Sequence, residues 1–119
     1  MKNIFSYENY LLSVFEKFPK LAAKKEEIEN NIYDITTNTW TTGLAMPTPV
    51  GDYAAAVYKD SLIYYVGGYN GSADVNTVQI YNTFLNSWAT GTIKPGTAVA
   101  GCRMGISGNK IVFVGGYSQ

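Results

Sequence analysis

Acidic side chains are the first residues to consider for catalysis, because the chain contains no histidine. Without histidine there is no imidazole to act as a general base, to activate a nucleophile or to bind a metal ion. The acids after residue 31 are few: Asp34, Asp52, Asp60 and Asp74. They fall in predicted turns, in a loop and just before a strand, whereas a glycosidase needs two carboxylates that flank its substrate. We therefore expect no catalytic site, no metal and no cofactor.

Cysteine and tyrosine are the other residue types that could do chemistry. Cys102 lies in a predicted inner strand, where a small buried apolar residue is expected rather than a reactive thiol. Five of the ten tyrosines surround one predicted hairpin and the loop after it: Tyr53, Tyr58, Tyr64, Tyr65 and Tyr69. Their rings could stack on a sugar or a peptide, but strand propensity and packing between sheets explain most of them.

Composition divides the chain near residue 30. The first 30 residues carry ten charged side chains, whereas the remaining 89 carry eight and are rich in Gly, Thr, Ser, Asn and Tyr. Apolar residues recur at helical spacing in the first part, at Tyr7, Tyr10, Leu11, Val14, Phe15 and Phe18. This spacing predicts an amphipathic helix that Pro19 ends or kinks, followed by a second helix to about Asn30. We therefore predict a helical extension over residues 1–30.

The second part of the chain repeats itself. Residues 33–68 align without a gap on residues 81–116, at a constant offset of 48. The matched pairs include Tyr33 with Tyr81, Trp40 with Trp88, and the diglycine Gly67-Gly68 with Gly115-Gly116. A period of this length, with short strands and a diglycine in each unit, favours a β-propeller blade of four strands over a helical repeat.

Residues that favour turns separate the strands of each unit. We predict one hairpin over residues 53–66 that turns at Lys59-Asp60, and its equivalent over 101–114 that turns at Ser107-Gly108-Asn109. Further strands are expected over 75–81 and 87–92, joined by a turn at 83–86. If the strands of a unit are called a, b, c and d, residues 53–92 supply all four. Residues 32–42 supply only c and d, and residues 99–117 supply only a and b.

Two elements carry a family resemblance. One is the apolar run into a diglycine at residues 62–69, and the other is the spacing of Tyr33, Asp34, Asn38 and Trp40. Both recur one period later, and together they resemble the kelch motif over residues 31–119. The resemblance implies an all-β fold of kelch-like β-propeller blades, each a four-stranded antiparallel sheet, here as a partial propeller. The arginine that often opens strand a in this family is absent at Gly51 and Val99, so partner sites known elsewhere do not transfer.

The diglycines and tryptophans have a structural interpretation. Gly67 and Gly68 remove Cβ atoms where a neighbouring blade approaches, and they allow backbone angles that other residues resist. Trp40 and Trp88 are expected to fill the space that is left. A diglycine that cradles a phosphate would continue into a glycine-rich turn that opens a helix, and neither copy does so.

Charge and composition restrict the partners. Nine basic residues balance nine acidic ones, so the basic surface of a nucleic-acid binder is not expected. No apolar run has the length of a membrane span, so we expect no membrane partner.

We predict a non-enzymatic binding or assembly module whose loops recognise a protein or a glycan. The alternatives are a fragment of a carbohydrate-active kelch-like enzyme, or a truncated reading frame without independent function. The low charge resembles that of secreted bacterial kelch-like proteins, although no signal peptide is identifiable; compartment and native length stay open.

The order of strands predicts both a binding surface and an assembly. In a blade, the b-to-c and d-to-a connections lie on one rim, so residues 69–76 should lie beside 43–52 and 91–99. Asp52, Tyr69, Asn70 and Asp74 are the expected ligand contacts on that rim. Strands c and d at one end and strands a and b at the other would leave unpaired edges. We therefore expect head-to-tail self-association, with a six-bladed trimer preferred over a four-bladed dimer, unless these blades join the rest of a longer propeller.

Overall fold

The computed structural model describes residues 28–118. All secondary-structure elements among these residues are β-strands. In chain order the strands are β1 (Asn30–Asp34), β2 (Thr39–Gly43), β3 (Ala54–Tyr58), β4 (Leu62–Val66), β5 (Val78–Asn82), β6 (Ser87–Thr90), β7 (Ala100–Ser107) and β8 (Lys110–Tyr117). The predicted amphipathic helix, with its apolar residues from Tyr7 to Phe18, lies outside the described residues. Most of the second predicted helix also lies outside the described residues. Its predicted end near Asn30 is wrong, since Ile28 and Glu29 are not helical and β1 begins at Asn30. No helix able to cross a membrane occurs among residues 28–118.

The strands form three antiparallel sheets in the predicted arrangement. β1 pairs with β2, β7 pairs with β8, and β3 to β6 form a four-stranded sheet in sequence order. The central sheet is thus a complete a-b-c-d unit, flanked by a c-d pair before it and an a-b pair after it. The all-β fold of kelch-like blades is confirmed.

The two c-to-d turns are built alike. Asp34 Oδ1 accepts hydrogen bonds from the backbone N–H groups of Thr36 and Thr37 at 2.9 and 3.0 Å. Asn82 Oδ1 accepts the equivalent bonds from Phe84 and Leu85 at 2.9 and 3.0 Å. In both turns the fourth residue is an asparagine at positive φ, which asparagine tolerates better than most residues. The predicted turn at 83–86 is therefore confirmed, with side-chain capping as its cause.

The two a-to-b hairpins differ in register by one residue. β3 and β4 are joined by a three-residue loop, since Tyr58 pairs with Leu62, so the predicted two-residue turn at Lys59-Asp60 is wrong by one residue. β7 and β8 are joined by only two residues, because Ser107 pairs with Lys110, and the predicted three-residue turn there is wrong. As a consequence Val66 pairs with Ala54, whereas the next copy, Val114, pairs with Arg103.

Strands c and d of the complete blade are shorter than predicted. Residues 75–77 do not belong to β5, because their backbone groups bond to other loops. Val75 N donates to Gly68 O at 2.8 Å, and Gly67 N donates to Thr77 O at 2.9 Å. β6 likewise ends at Thr90, and Gly91 N donates to Val78 O at 2.9 Å. The alternating pattern of residues 75–81 thus covers both a loop and a strand.

The core lies between the inner strands and the loop that precedes β3. Its buried apolar side chains are Met46, Val50, Ala54, Val66, Tyr81, Ala100 and Cys102. The two repeat tryptophans differ in burial: Trp40 is 68% exposed, whereas its repeat equivalent Trp88 is half-buried. The difference arises because loop 43–48 covers Trp88, while no described residue covers the same face of β1 and β2.

Candidate functional site

The connections predicted to share a rim are joined by backbone hydrogen bonds. Gly51 and Tyr69 exchange two bonds of 2.9 Å, and Gly68 N donates to Val99 O at 3.1 Å. Lys94 N donates to Asn76 O at 3.0 Å, which ties the next d-to-a connection to the same place. We call residues 43–53, 67–77 and 91–99 together the loop rim. Because its loops bond to one another, the rim is a preorganised surface rather than a set of independent loops.

The first diglycine allows the rim loops to approach closely. Gly67 and Gly68 have φ of 73° and 110°, where other residues are strained. A Cβ on Gly67 would lie 2.9 Å from Val99 O, and one on Gly68 would lie 2.5 Å from Gly51 O. Both glycines thus lie where a Cβ would meet neighbouring loop backbone, and the expectation that Trp88 fills this space is wrong. Loop backbone, rather than a tryptophan, supplies the nearest atoms.

Trp88 instead joins the central sheet to the loop after β2. Its ring packs against Tyr65 and Tyr81, with centroid distances of 5.5 and 5.0 Å. Its Nε1–H donates to Leu44 O at 2.9 Å. Tyr53 continues the row, with its centroid 4.9 Å from that of Tyr65. Burial, with Tyr53 and Tyr81 nearby, raises the pKa of Tyr65. These contacts support the packing interpretation for this part of the tyrosine cluster.

Gln79 holds the rim in place and was missed as a functional residue. Its side chain in β5 is 1% exposed. Its Nε2 donates to Thr48 O at 2.8 Å, and its Oε1 accepts from Thr48 N at 2.9 Å. The amide therefore pairs with the Thr48 backbone much as a neighbouring strand would. A polar residue within an apolar strand was the available signal, because such a residue must find a partner when it is buried.

A groove of about 880 Å³ opens on the loop rim. Its walls are residues 48–51 and 69–72, with Ile28 at one side. None of the described lining side chains carries a charge, and their polar groups come from Thr48, Tyr69, Asn70 and Ser72. This lining suits a neutral ligand that offers hydrogen-bonding groups and an apolar or ring surface.

Two of the four predicted contacts meet in this groove. Tyr69 and Asn70 line it. Asn70 Oδ1 accepts from the N–H groups of Ser72 and Ala73 at 2.8 Å each, which fixes the loop conformation. Asp74 is half-buried and its backbone forms a bridge with Tyr69, although its side chain does not line the groove.

Asp52 lies outside the groove and contacts the last hairpin instead. Its Oδ2 accepts a 2.5 Å hydrogen bond from Tyr117 Oη, and its backbone oxygen accepts one of 2.9 Å from Gly101 N. The bond to Asp52 raises the pKa of Tyr117. Asp52 itself adopts a φ of 57°, a left-handed conformation that aspartate tolerates better than most residues. Asp52 thus links the central blade to the next one.

The remaining candidate for chemistry is Cys102. Cys102 is 2% exposed in β7, and burial raises the pKa of its thiol, as expected of a small buried apolar residue. Among residues 28–118 no three His, Cys, Asp or Glu side chains form a cluster that could hold a metal ion.

Comparison with known proteins agrees with the repeat. The family described as the kelch motif matches residues 52–93. Human kelch-like protein 23 is 35% identical over 97 residues, which cover 79% of this chain and 17% of that protein. Spermatocyte protein spe-26 of Caenorhabditis elegans is 30% identical over 86 residues, 72% of this chain and 15% of that protein. Mouse kelch-like protein 7 is 37% identical over 57 residues, which cover 48% and 10% respectively. The chain therefore spans about a sixth or less of the length of these relatives.

Proposed function

We propose that this chain, which carries a kelch repeat at residues 52–93, is a non-enzymatic binding module that recognises a protein partner through its loop rim. The observation that carries the proposal is the neutral groove beside Tyr69 and Asn70, set in loops that bond to one another. Preorganised loops lose little conformational entropy on binding, so even a small contact area can give useful affinity.

A protein ligand suits the groove on chemical grounds. An extended peptide offers backbone N–H and C=O groups to the polar side chains of Asn70 and Ser72, and a side chain to the ring of Tyr69. A glycan is the second candidate, because an aromatic ring beside uncharged hydrogen-bonding groups also suits a sugar. The absence of histidine from the whole chain favours binding over an imidazole-dependent reaction.

Selection from a peptide library tests the choice of surface. Peptides selected on the immobilised full chain should lose at least tenfold in affinity for Tyr69→Ala and Asn70→Ala. The matched control is Phe84→Ala, which truncates an exposed aromatic side chain on the opposite c-to-d turn. If Phe84→Ala abolishes binding while the rim variants retain it, the rim is not the binding surface. A glycan array probed with the same variants decides between the two ligand classes.

The second part of the proposal is head-to-tail self-association. β8 and β1 each have one edge that pairs with no strand among residues 28–118. Such edges pair readily with another chain. If β7 and β8 of one copy complete a blade with β1 and β2 of the next, a ring closes without free edges, and three copies give six blades. The rest of a longer propeller would fill the same places.

A further inference from the structure

We infer that Asn38 and Trp40 form a binding site for the backbone of a second copy of this chain, and that Thr92 of the second copy supplies the bound groups. The inference rests on the proposed head-to-tail association and names the contact that joins the two copies. In this contact, Asn38 Oδ1 accepts a hydrogen bond from the backbone N–H of Thr92, and Trp40 Nε1–H donates one to its carbonyl oxygen.

An occupied site of this kind lies within the chain itself. Leu44 N donates to Asn86 Oδ1 at 2.8 Å, and Leu44 O accepts from Trp88 Nε1 at 2.9 Å. Tyr81 Oη also donates to Asn86 Oδ1 at 2.8 Å, so this oxygen uses both of its acceptor positions. We call Tyr81, Asn86 and Trp88 the second amide site. This site holds both backbone groups of one residue in the loop that follows β2.

The same three residue types recur one period earlier with the same geometry. We call Tyr33, Asn38 and Trp40 the first amide site. Tyr33 Oη donates to Asn38 Oδ1, as its equivalent does in the second site. The rings of Tyr33 and Trp40 lie 5.0 Å apart at 49°, against 5.0 Å and 47° in the second site. The first amide site is therefore built like the second, including the hydroxyl bond that orients its asparagine.

The unused hydrogen-bonding capacity of the first amide site indicates what it binds. Among residues 28–118, no backbone group bonds to Asn38 Oδ1 or to Trp40 Nε1. Asn38 Oδ1 has one acceptor position left beside the bond from Tyr33, and the indole N–H of Trp40 is a donor. An apolar partner would bury both groups without hydrogen bonds, which is costly. The site therefore favours a segment that offers one N–H and one C=O group.

Thr92 of a second copy offers these two groups. It lies one period after Leu44, in the connection that follows β6 as Leu44 lies in the connection that follows β2. Thr92 is exposed, and within the described part of the chain neither its backbone N–H nor its carbonyl oxygen forms a hydrogen bond. Both bonding groups that the first amide site requires thus belong to one residue.

The residue before each bound position favours a close approach. Gly43 precedes Leu44, and Gly91 precedes Thr92. A Cβ on Gly43 would lie 2.7 Å from Tyr81 Oη and 2.9 Å from Asn86 Oδ1, so a side chain there would collide with the second amide site. Gly91 likewise places no Cβ beside the position that meets the first amide site.

The contact fits the proposed pairing of strand edges. Within the chain, the second amide site lies on strands c and d of its blade and binds the connection that enters that blade. If β8 of one copy pairs with β1 of the next, residues 91–99 of the first copy enter the completed blade. Thr92 then meets the first amide site in the register in which Leu44 meets the second. The edge pairing and the amide contact are therefore two parts of one interface between unlike surfaces.

Sedimentation equilibrium of the full chain tests both sides of the contact. Thr92→Pro removes the backbone N–H, and Trp40→Phe removes the indole donor but keeps an aromatic ring. Each should raise the dissociation constant of self-association at least tenfold. Thr92→Ala keeps the N–H and should leave that constant within twofold of the unsubstituted chain. Unchanged constants for Thr92→Pro and Trp40→Phe, where the unsubstituted chain associates, would overturn the inference and leave head-to-tail association standing.

A mixture of the two variants shows whether the two groups meet each other. The Trp40→Phe chain keeps Thr92, and the Thr92→Pro chain keeps the first amide site. The equimolar mixture should associate at least tenfold more tightly than either variant alone and stop at two chains, because each variant keeps only one functional end. A mixture that associates no better than its components would overturn the inference. An unsubstituted chain that stays monomeric at every concentration would overturn both the contact and head-to-tail association.

The indole N–H signals identify the occupant of the first amide site. The chain has two tryptophans, so Trp40→Phe assigns both signals in a nitrogen-15 NMR spectrum. The Trp88 signal is the internal control, because its bond to Leu44 O should slow exchange with water at every concentration. The Trp40 signal should exchange at least tenfold faster than that of Trp88 in the monomer and slow as the chain associates. Equal protection in the monomer would mean that the same chain fills the site. Fast exchange in the associated chain would mean that the copies meet elsewhere, and either result would overturn the inference.

Discussion

At the residue scale, Gln79 shows how one buried polar side chain can hold a binding surface. We expect Gln79→Ala to lower the free energy of unfolding by about 2–4 kcal/mol, because it removes two hydrogen bonds and leaves the Thr48 backbone without them. Thr90→Ala, at the exposed position opposite Gln79 on β6, is the control and should cost less than about 0.5 kcal/mol. Urea denaturation measures both values. Equal costs would mean that the bonds to Thr48 contribute nothing measurable.

Gly68 and Gly71 separate steric crowding from backbone strain. Both have positive φ, of 110° and 98°, so alanine at either site costs of order 1–3 kcal/mol. Only Gly68 is also crowded: its Cβ would lie 2.5 Å from Gly51 O, whereas that of Gly71 would enter open space. We expect Gly68→Ala to be more destabilising than Gly71→Ala by about 1–3 kcal/mol. Equal stabilities would show that the rim loops move apart without cost.

The bond between Tyr117 and Asp52 predicts a pH dependence. Because the bond raises the pKa of Tyr117 in the folded chain, its contribution to stability is present below the ordinary value of 10.0. That contribution is lost as the pH rises through the raised pKa. Tyr117→Phe should therefore melt below the unsubstituted chain at neutral pH, and the gap should shrink in strong alkali. Tyr58→Phe controls for the loss of a tyrosine hydroxyl, and a gap that widens with pH would contradict the assignment.

At the element scale, the repeat supplies two tryptophans in the same turn context with different surroundings. Trp88 packs on Tyr65 and Tyr81 and bonds to Leu44 O, whereas Trp40 is 68% exposed. Trp88→Ala should cost about 3 kcal/mol, and Trp40→Ala less than about 1 kcal/mol in dilute solution. Denaturation at two protein concentrations measures this difference. A cost for Trp40→Ala that grows with concentration would indicate that a second copy covers the ring.

The elements also show how far sequence reasoning extends. The offset of 48 predicted the strand inventory, because local turn chemistry sets where strands end: Asn82 caps its own turn within three residues. The order of strands in a blade then predicted that the b-to-c and d-to-a connections share a rim. The offset failed for the last hairpin, where Ser107 joined β7 and shifted the register of Val114 by one residue. Register depends on how many residues close the turn, and Ser107-Gly108-Asn109 suits either two or three.

The binding surface was predictable only in part for the same reason. Tyr69 and Asn70 follow the diglycine directly, so the blade pattern placed them on the rim. Asp52 contacts Tyr117, 65 residues later, and Gln79 contacts Thr48, 31 residues earlier. Which residues meet over such long sequence separations depends on how the blades stack on one another. A local sequence pattern does not encode that stacking.

At the scale of the whole molecule, the described part of the chain is extended rather than compact. The Cα radius of gyration is 17.2 Å, whereas a compact chain of 100 residues has about 13 Å. The extents of 58 × 41 × 21 Å are likewise those of a flat, elongated body. In the proposed head-to-tail association, the free edges of β8 and β1 would pair between copies. Such a contact joins unlike surfaces and closes into a ring when the rotation permits it.

Closure predicts a defined mass. With rising concentration, the mean mass of the full chain in sedimentation equilibrium should approach three times the 13.0 kDa of one chain and stop there. Val114→Asp should hold the chain at the monomer mass, because Val114 is 61% exposed on β8, the strand whose free edge would pair with the next copy in the proposed association. Leu85→Asp changes a residue that is 72% exposed on a c-to-d turn, and should leave the mass unchanged. Growth beyond three chains would mean that the contact is helical rather than closed. A monomer at every concentration would show that the two ends do not pair.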